Sequence, residues 1–247
     1  RHFDFMSSMA VDGIVNYGIG DWCAPFDGPA ISVNMSTFKA PVALTDTACY
    51  YRSARMLSKM SRVLGLDDPY LARSEEIRAA LLRNFVDADT GEVAGACQTS
   101  DGCVAFHHLL KPQEEARLME RLAERIAQNG WHIDYGILGS KYVLNMLGEY
   151  GRTDVIYKML TREDYPGYLY WVDHGCTTLA ECWNLGGSHN HYMFSDVSAV
   201  FYRYFAGIRP DGDIPAYRSF LLAPALDLAI DTLSCSVESP HGTIFAG

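Results

Sequence analysis

One carboxylate, Glu181, lies in a stretch of sequence that is rich in polar and aromatic side chains. The stretch HGCTTLAECWNLGGSHNHYMF runs from His174 to Phe194 and places three histidines, a tryptophan and two threonines around that glutamate. A carboxylate that is accessible but partly removed from bulk water can take a proton from a water molecule, which is the task of a general base. The stretch therefore makes Glu181 a candidate general base.

The segment TTLAECW predicts a short helix around this carboxylate. Thr177 or Thr178 would cap its N-terminus, and Glu181 would lie on the first turns beside Trp183. The alternative is an ordinary glutamate on the surface of a helix, with no catalytic role. The Asn-His-Tyr segment that follows the helix favours the first interpretation.

Four segments between predicted helices combine aromatic with acidic or histidine side chains. They are YGIGDWCAPFDGP, NGWHIDYG, DYPGYLYWVDHG and GGSHNHYMF. Aromatic faces stack on the C–H faces of a pyranose, while its hydroxyls need charged or amide partners. If the segments converge at one end of a helical assembly, we expect a sugar-binding pocket there. The alternative is that these aromatic side chains only cover the end of a helix bundle.

The histidines do not predict a metal site. His189 and His191 are two residues apart, unlike the spacing in HExxH, and no cysteine or carboxylate follows at a matching interval. We therefore expect neither a metal nor a cofactor. The seven cysteines have no zinc-finger spacing, and free thiols are typical of a reducing compartment, so a cytoplasmic location is the expectation.

Helices are predicted over most of the chain from about residue 45 to 208. Apolar residues recur four apart at Ile77, Leu81 and Phe85, and again at 118, 122 and 126. Turn and cap residues divide this region into four consecutive helical hairpins. One of the helices is predicted to begin at Asp101. After Arg209 the period changes to short apolar stretches with turn residues, which predicts strands. We therefore predict two units, residues 1–208 and 209–247.

Composition excludes several classes of partner. The chain has 247 residues, 49% of them hydrophobic, and a formal net charge of −10. Such an acidic surface disfavours nucleic acid and anionic membranes, and no apolar run approaches the roughly 20 residues of a membrane span. The chain has no initiator methionine or signal-peptide pattern, and we therefore expect it to be a fragment of a longer protein.

Taken in order, several motifs resemble the family 78 glycoside hydrolases, the α-L-rhamnosidases. The motifs are GDW, NF-VDADTG, GWHIDYGILGSKYVLNML-GEYG, YPGYLYW, TTLAECW, SHNHYMF and SPHGTI. The resemblance implies an (α/α)6 barrel followed by a β-sandwich, and hydrolysis of terminal α-L-rhamnosides with inversion. It also implies that Glu181 is the general base, that His191 contacts the sugar, and that Asp21 and Trp22 line the pocket. Ala180 departs from the family pattern, which usually has tryptophan there. Further predicted pocket residues are Trp131, Asp134 and Trp183.

The family's general acid lies in an Asp-Glu-Arg-x-Gly-Trp segment before Gly-Asp-Trp, and these 247 residues contain no such segment. We therefore expect the general acid to lie upstream of residue 1, and we expect the fragment alone to be inactive or weakly active. Four hairpins cannot close a ring of six, so the predicted fold is mainly α, an incomplete (α/α)6 toroid with a short β tail. Its uncovered faces predict self-association. Three alternatives remain: a six-hairpin glycosidase for another sugar, a non-catalytic carbohydrate-binding domain, and a helical scaffold without a ligand.

Overall fold

The structure, a computed structural model, describes residues 1–25, 39–212 and 214–247. A short helix α1 (His2–Met9) precedes three antiparallel helical hairpins, and a shorter helical region follows them. The hairpins pair α2 (Val42–Leu64) with α3 (Tyr70–Phe85), α4 (Gln98–Phe106) with α5 (Pro112–Gln128), and α6 (Ile137–Glu149) with α7 (Thr153–Leu160). The later helices are α8 (Tyr168–Asp173) and α9 (Asp196–Val200), and α9 continues as a π-helical turn over Phe201–Phe205.

The first helices of successive hairpins lie side by side. Helix α4 packs against both α2 and α6, and α6 packs against α9, whereas α3, α5 and α7 each pack on the helix that precedes them. This is the layering of inner and outer helices in a helical toroid. The mainly helical fold predicted from the sequence is confirmed, as is its short β tail.

The four-apart apolar pattern locates the buried faces of α3 and α5. Ile77 and Leu81 are buried, and so are Leu118, Leu122 and Ile126. Residues four apart lie on one face of a helix, so one stripe of each helix enters the core. Asp68 caps α3: its Oδ1 accepts hydrogen bonds from the backbone amides of Tyr70 and Leu71 at 3.1 and 3.2 Å.

Two details of the helix prediction were wrong. Asp101 does not begin α4 but lies inside it, fully buried, with Oδ2 2.9 Å from Nε of Arg125. Residues 174–195 contain no helix or strand, so TTLAECW is not helical. Thr178 donates its hydroxyl to the carbonyl of His189 instead of capping a helix. The amide of Glu181 binds the carbonyl of Ser188, and these cross-loop bonds replace the helical ones.

The tail forms two antiparallel pairs of strands. β1 (Ile208–Pro210) pairs with β2 (Phe220–Leu222), and β3 (Cys235–Ser239) pairs with β4 (Gly242–Ala246). Ala206, Ile208 and Ala246 form a small buried cluster where the tail meets the end of the helical region. A division of the chain between residues 208 and 209 stays a prediction.

The C-terminal half of α2 presents an apolar surface to solvent. Its exposed side chains, 48–79% accessible, are Met56, Met60, Val63, Leu64 and, just beyond the helix, Leu66. Self-association through uncovered helices stays a prediction. No helix among the described residues combines the length and apolar character needed to cross a bilayer.

Candidate active site

The predicted site segments meet at the N-terminal ends of the inner helices. Trp183 donates its indole N–H to the carbonyl of Tyr135 at 2.9 Å, which joins the 174–195 loop to the loop before α6. The sulfurs of Cys23 and Cys182 lie 3.3 Å apart and join the same loop to the Gly-Asp-Trp segment. His132 Nε2 lies 3.0 Å from a carboxylate oxygen of Asp164. The first and second segments therefore contact the loop of Glu181, and the third segment contacts the second. A shared sugar-binding pocket stays a prediction, and residues 26–29 of the first segment lie outside the described part of the chain.

Glu181 and His191 are brought together by the fold of their loop. The amide of His191 donates to the carbonyl of Leu179, which brings the two ends of the loop side by side. Glu181 Oε2 accepts a hydrogen bond from the amide of Ser188 at 2.8 Å, and His191 Nδ1 lies 3.6 Å from the same oxygen. The Glu181 side chain is 14% exposed and that of His191 30% exposed. The carboxylate is thus shielded but accessible.

Gly187 allows this arrangement. Its φ is +77°, which a side chain disfavours, and a Cβ there would lie 2.5 Å from Glu181 Oε2. The backbone therefore passes close over the carboxylate and holds one oxygen in place. The two described contacts of the carboxylate both go to Oε2.

Asp134 is a second carboxylate at this end of the helices. Its side chain is 18% exposed and its Oδ2 lies 3.9 Å from Nζ of Lys39. Within the described residues its buried Oδ1 has no hydrogen-bond partner, and its own amide donates to the side-chain oxygen of Gln98 at 3.2 Å. Burial raises the pKa of Asp134 to about 6, against the opposing charge of Lys39. The part of this carboxylate that stays exposed suits a hydroxyl donor.

Asp21 occupies a different position from the pocket-lining one that the sequence predicted. It is fully buried, and its Oδ1 accepts the amides of Leu138 and Gly139 at 2.9 Å each. Its Oδ2 accepts the hydroxyl of Thr99 at 2.5 Å and the amide of Gly136 at 2.8 Å. Burial raises its pKa, while these four donors oppose the shift. Asp21 is therefore a buried cap of α6, with both oxygens already engaged.

The three predicted tryptophans differ in exposure. Trp183 is 1% exposed and stacks on Trp171 at a centroid distance of 4.6 Å, so it packs in the core beneath the loop. Trp22 is partly buried, and its carbonyl accepts the amide of Ile137 at 2.9 Å. Trp131 is partly buried, with Nζ of Lys158 4.2 Å from its ring centroid. Of these three tryptophans, Trp22 and Trp131 are partly exposed and Trp183 is not.

Sequence reasoning missed the contact between Cys23 and Cys182. Cys23 directly follows the Gly-Asp-Trp motif and Cys182 lies within TTLAECW, but no local pattern pairs residues 159 positions apart. The described residues contain no group of three or more His, Cys, Asp or Glu side chains arranged to hold a metal ion.

A family model of known proteins matches most of this fold. The model of the bacterial alpha-L-rhamnosidase six-hairpin glycosidase domain covers residues 1–205. The chain belongs to this family.

Individual relatives carry the same description. An alpha-L-rhamnosidase of Streptomyces avermitilis is 29% identical over 92% of this chain, and one of Alteromonas sp. is 26% identical over 91%. The chain spans only 22% and 26% of the lengths of these two relatives.

Solved structures agree. The crystal structure of the Streptomyces avermitilis alpha-L-rhamnosidase complexed with L-rhamnose superposes on 98% of this chain, with a TM-score of 0.85 and 25% identity, and the match covers 24% of that protein. The alpha-L-rhamnosidase structure from Dictyoglumus thermophilum superposes on 85% of this chain, with a TM-score of 0.74 and 29% identity, and the match covers 24% of that chain.

Proposed function

We propose that this chain carries the water-activating part of an inverting α-L-rhamnosidase active site, with Glu181 as the general base. The observation that carries the proposal is the shielded, accessible Glu181 carboxylate beside His191, in a domain of the rhamnosidase family. The substrate is a rhamnose-containing glycan or glycoside. A relative's crystal structure with L-rhamnose supports this sugar class.

The geometry suits proton transfer from water to Glu181. The amide of Ser188 and the imidazole of His191 both lie near Oε2, so they fix the carboxylate's orientation. The other oxygen, Oε1, is the one that would accept the proton as water attacks the anomeric carbon. His191 would also present its other ring nitrogen, Nε2, to a sugar hydroxyl.

Other residues would hold the sugar or support the loops. Asp134 would accept a sugar hydroxyl through the exposed part of its carboxylate, and Trp22 and Trp131 would offer ring faces to C–H groups. Asp21 and Trp183 would act indirectly, since the first caps α6 and the second anchors the Glu181 loop on Tyr135.

Inversion also requires a general acid that protonates the leaving group. Inverting glycosidases hold their two carboxyl groups roughly 6.5–9.5 Å apart, so that a water fits beneath the base. We propose that the acid comes from residues outside these 247. The chain alone should then bind the sugar but hydrolyse an aryl α-L-rhamnoside poorly.

The proposal can be tested with the variant Glu181→Gln, made in the longest natural polypeptide that contains this chain. The amide keeps the shape of the side chain but cannot accept the proton, so kcat on an aryl α-L-rhamnoside should fall about 10²–10⁴-fold. KM should change less, because the base contacts water rather than the sugar. His191→Ala should weaken both parameters, since it removes a sugar contact.

Glu163→Gln is the matched control, because Glu163 is an exposed glutamate outside the loop. Proton NMR should identify the β-anomer as the first sugar released, as inversion requires. Near-normal kcat in Glu181→Gln would show that Glu181 is not the base. If the unaltered protein binds rhamnose without any turnover, the carbohydrate-binding alternative replaces the hydrolase.

A further inference from the structure

Two buried thiols from distant parts of the chain lie in contact beside the candidate base. Cys23 follows the Gly-Asp-Trp segment, and Cys182 follows Glu181. Their Sγ atoms are 3.3 Å apart, and the two residues are only 5% and 8% exposed. All seven cysteines of the chain are free thiols in this structure. Neither thiol has a part in the binding and catalytic roles proposed above.

We propose that Cys23 and Cys182 form a redox-active thiol pair, which hydrogen peroxide or a similarly small hydroperoxide oxidises to an intramolecular disulfide. The proposal concerns the thiols alone and does not depend on the activity proposed for Glu181.

The geometry is close to that of a disulfide. A disulfide has an S–S distance of about 2.05 Å, so the sulfurs must approach by about 1.3 Å. Cys23 lies in a turn with a φ of +61°, whereas Cys182 lies in the irregular 174–195 loop. Neither residue lies in a helix or strand, so we expect the loop of Cys182 to take part in the movement.

The pair is also chemically asymmetric. Hydrogen bonding from the Cys23 thiol lowers the pKa of Cys182, and the same interaction together with burial raises the pKa of Cys23. A thiolate is the nucleophile in cysteine oxidation, so Cys182 is the sulfur that attacks the peroxide. Low exposure of both residues favours a small oxidant over a bulky disulfide such as oxidised glutathione.

The reaction is balanced in two steps. The Cys182 thiolate attacks one peroxide oxygen, the O–O bond breaks, and a proton taken from solvent leaves with the second oxygen as water, which gives the sulfenic acid. The Cys23 sulfur then attacks the sulfenic sulfur and displaces its hydroxyl, which leaves as a second water with the Cys23 proton. In total, two thiols and one hydrogen peroxide give one disulfide and two waters.

The decisive experiment is a peptide map of the whole chain after mild peroxide treatment. The intact mass should fall by about 2 Da, and dithiothreitol should restore it. Trypsin should release a cross-linked pair made of residues 2–39, which contain only Cys23, and residues 163–203, which contain Cys176 and Cys182. Cys176→Ser should form the same cross-link, and Cys182→Ser should not. Fragmentation of the cross-linked pair by tandem mass spectrometry assigns the bond to Cys176 or Cys182 in the unaltered chain, so the test stands even if a variant fails to fold.

Two results would overturn the proposal. One is full alkylation of both Cys23 and Cys182 after treatment, which would mean that no bond forms. The other is a cross-link that survives in Cys182→Ser but disappears in Cys176→Ser, which would assign the bond to Cys176.

A second measurement rests on the proposed function. Closing the bond would displace the loop that holds Glu181, and a displacement of about 1 Å at a catalytic group can cost about 100-fold in rate. We therefore expect oxidation to lower the rhamnosidase activity of the full-length protein about 10–100-fold, reversibly, and Cys23→Ser to resist this loss. Unchanged activity in a protein with the mapped cross-link would remove the regulatory effect but keep the thiol pair.

Discussion

Asp21→Asn should destabilise the fold, because Asp21 caps a buried helix end. Its two carboxylate oxygens accept four hydrogen bonds, from Thr99 and from the amides of Gly136, Leu138 and Gly139. Asparagine supplies one acceptor oxygen and an NH2 group. Its oxygen can keep the Leu138 and Gly139 amides, and the Thr99 hydroxyl can rotate to accept from the NH2 group. The Gly136 amide then faces another donor.

The expected cost follows from this count. One buried amide left without an acceptor costs about 1–3 kcal/mol, and the loss of the charge weakens two further hydrogen bonds by about 1 kcal/mol each. Burial of the charged carboxylate is itself unfavourable, and it raises the pKa of Asp21. Asparagine removes this charge, which offsets part of the lost hydrogen-bond energy. We expect a net loss of about 2–3 kcal/mol. In a chain of this size that lowers the melting temperature by about 4–12 °C.

Asp46→Asn is the matched control. Asp46 also accepts two backbone amides, those of Tyr17 and Gly18, but both bind the same oxygen, Oδ2. An asparagine can keep that oxygen in place, so we expect a loss below about 1 kcal/mol. Urea and thermal unfolding of the two variants would measure the difference.

Equal stability of the two variants would refute the reasoning. If Asp21→Asn instead unfolds like the unaltered protein and only loses affinity for rhamnose, the pocket-lining role predicted from the sequence would be correct.

Two further predictions follow from the backbone at Gly187 and from a buried carboxylate. Gly187→Ala should displace Glu181 and lower activity at least about tenfold in the full-length protein, because its Cβ would lie 2.5 Å from Glu181 Oε2. Gly175→Ala is the control, with φ +83° but open space around a Cβ; equal effects on activity would mean that backbone strain, not the clash, matters. Burial raises the pKa of Asp101 from an ordinary 3.8 to about 6. The folded state therefore binds more protons than the unfolded state between these values, and the free energy of unfolding falls as pH rises from about 4 to 6, by about 3 kcal/mol. Asp101→Asn should remove this part of the pH dependence in chemical unfolding curves measured across that range, and identical slopes in the two proteins would contradict it.

The sequence was sufficient for the elements that depend on local pattern. Ile77 and Leu81 recur with the period of a helix and are buried on one face of α3, and Leu118, Leu122 and Ile126 do the same on α5. Such features rest on residues a few positions apart, so the composition of a short window predicts them. Glu181 and His191 were also found this way, because they lie in one short segment.

The loop around Glu181 was beyond such reasoning. TTLAECW has the composition of a capped helix, yet Thr178 and the amide of Glu181 bond to His189 and Ser188 across the loop. The carbonyls of Ser188 and His189 lie five and six positions beyond the end of TTLAECW. Hydrogen bonds to these carbonyls compete with the hydrogen bonds of a helix, and the packing of the loop decides which set forms.

Tertiary structure alone decided which predicted pocket residues are accessible. Asp21 and Trp183 belong to recognisable motifs. The carboxylate of Asp21, however, binds the backbone amides at the N-terminus of α6, more than 100 residues later in the chain, and Trp183 stacks on Trp171 in the core. The pairing of Cys23 with Cys182 likewise joins the segment before the first hairpin to the loop that follows the third. The sequence alone determined which residues are candidates for the chemistry and where most of the helices lie between them. Burial and partners arise where distant segments meet, so the fold determined which of those residues can face a substrate.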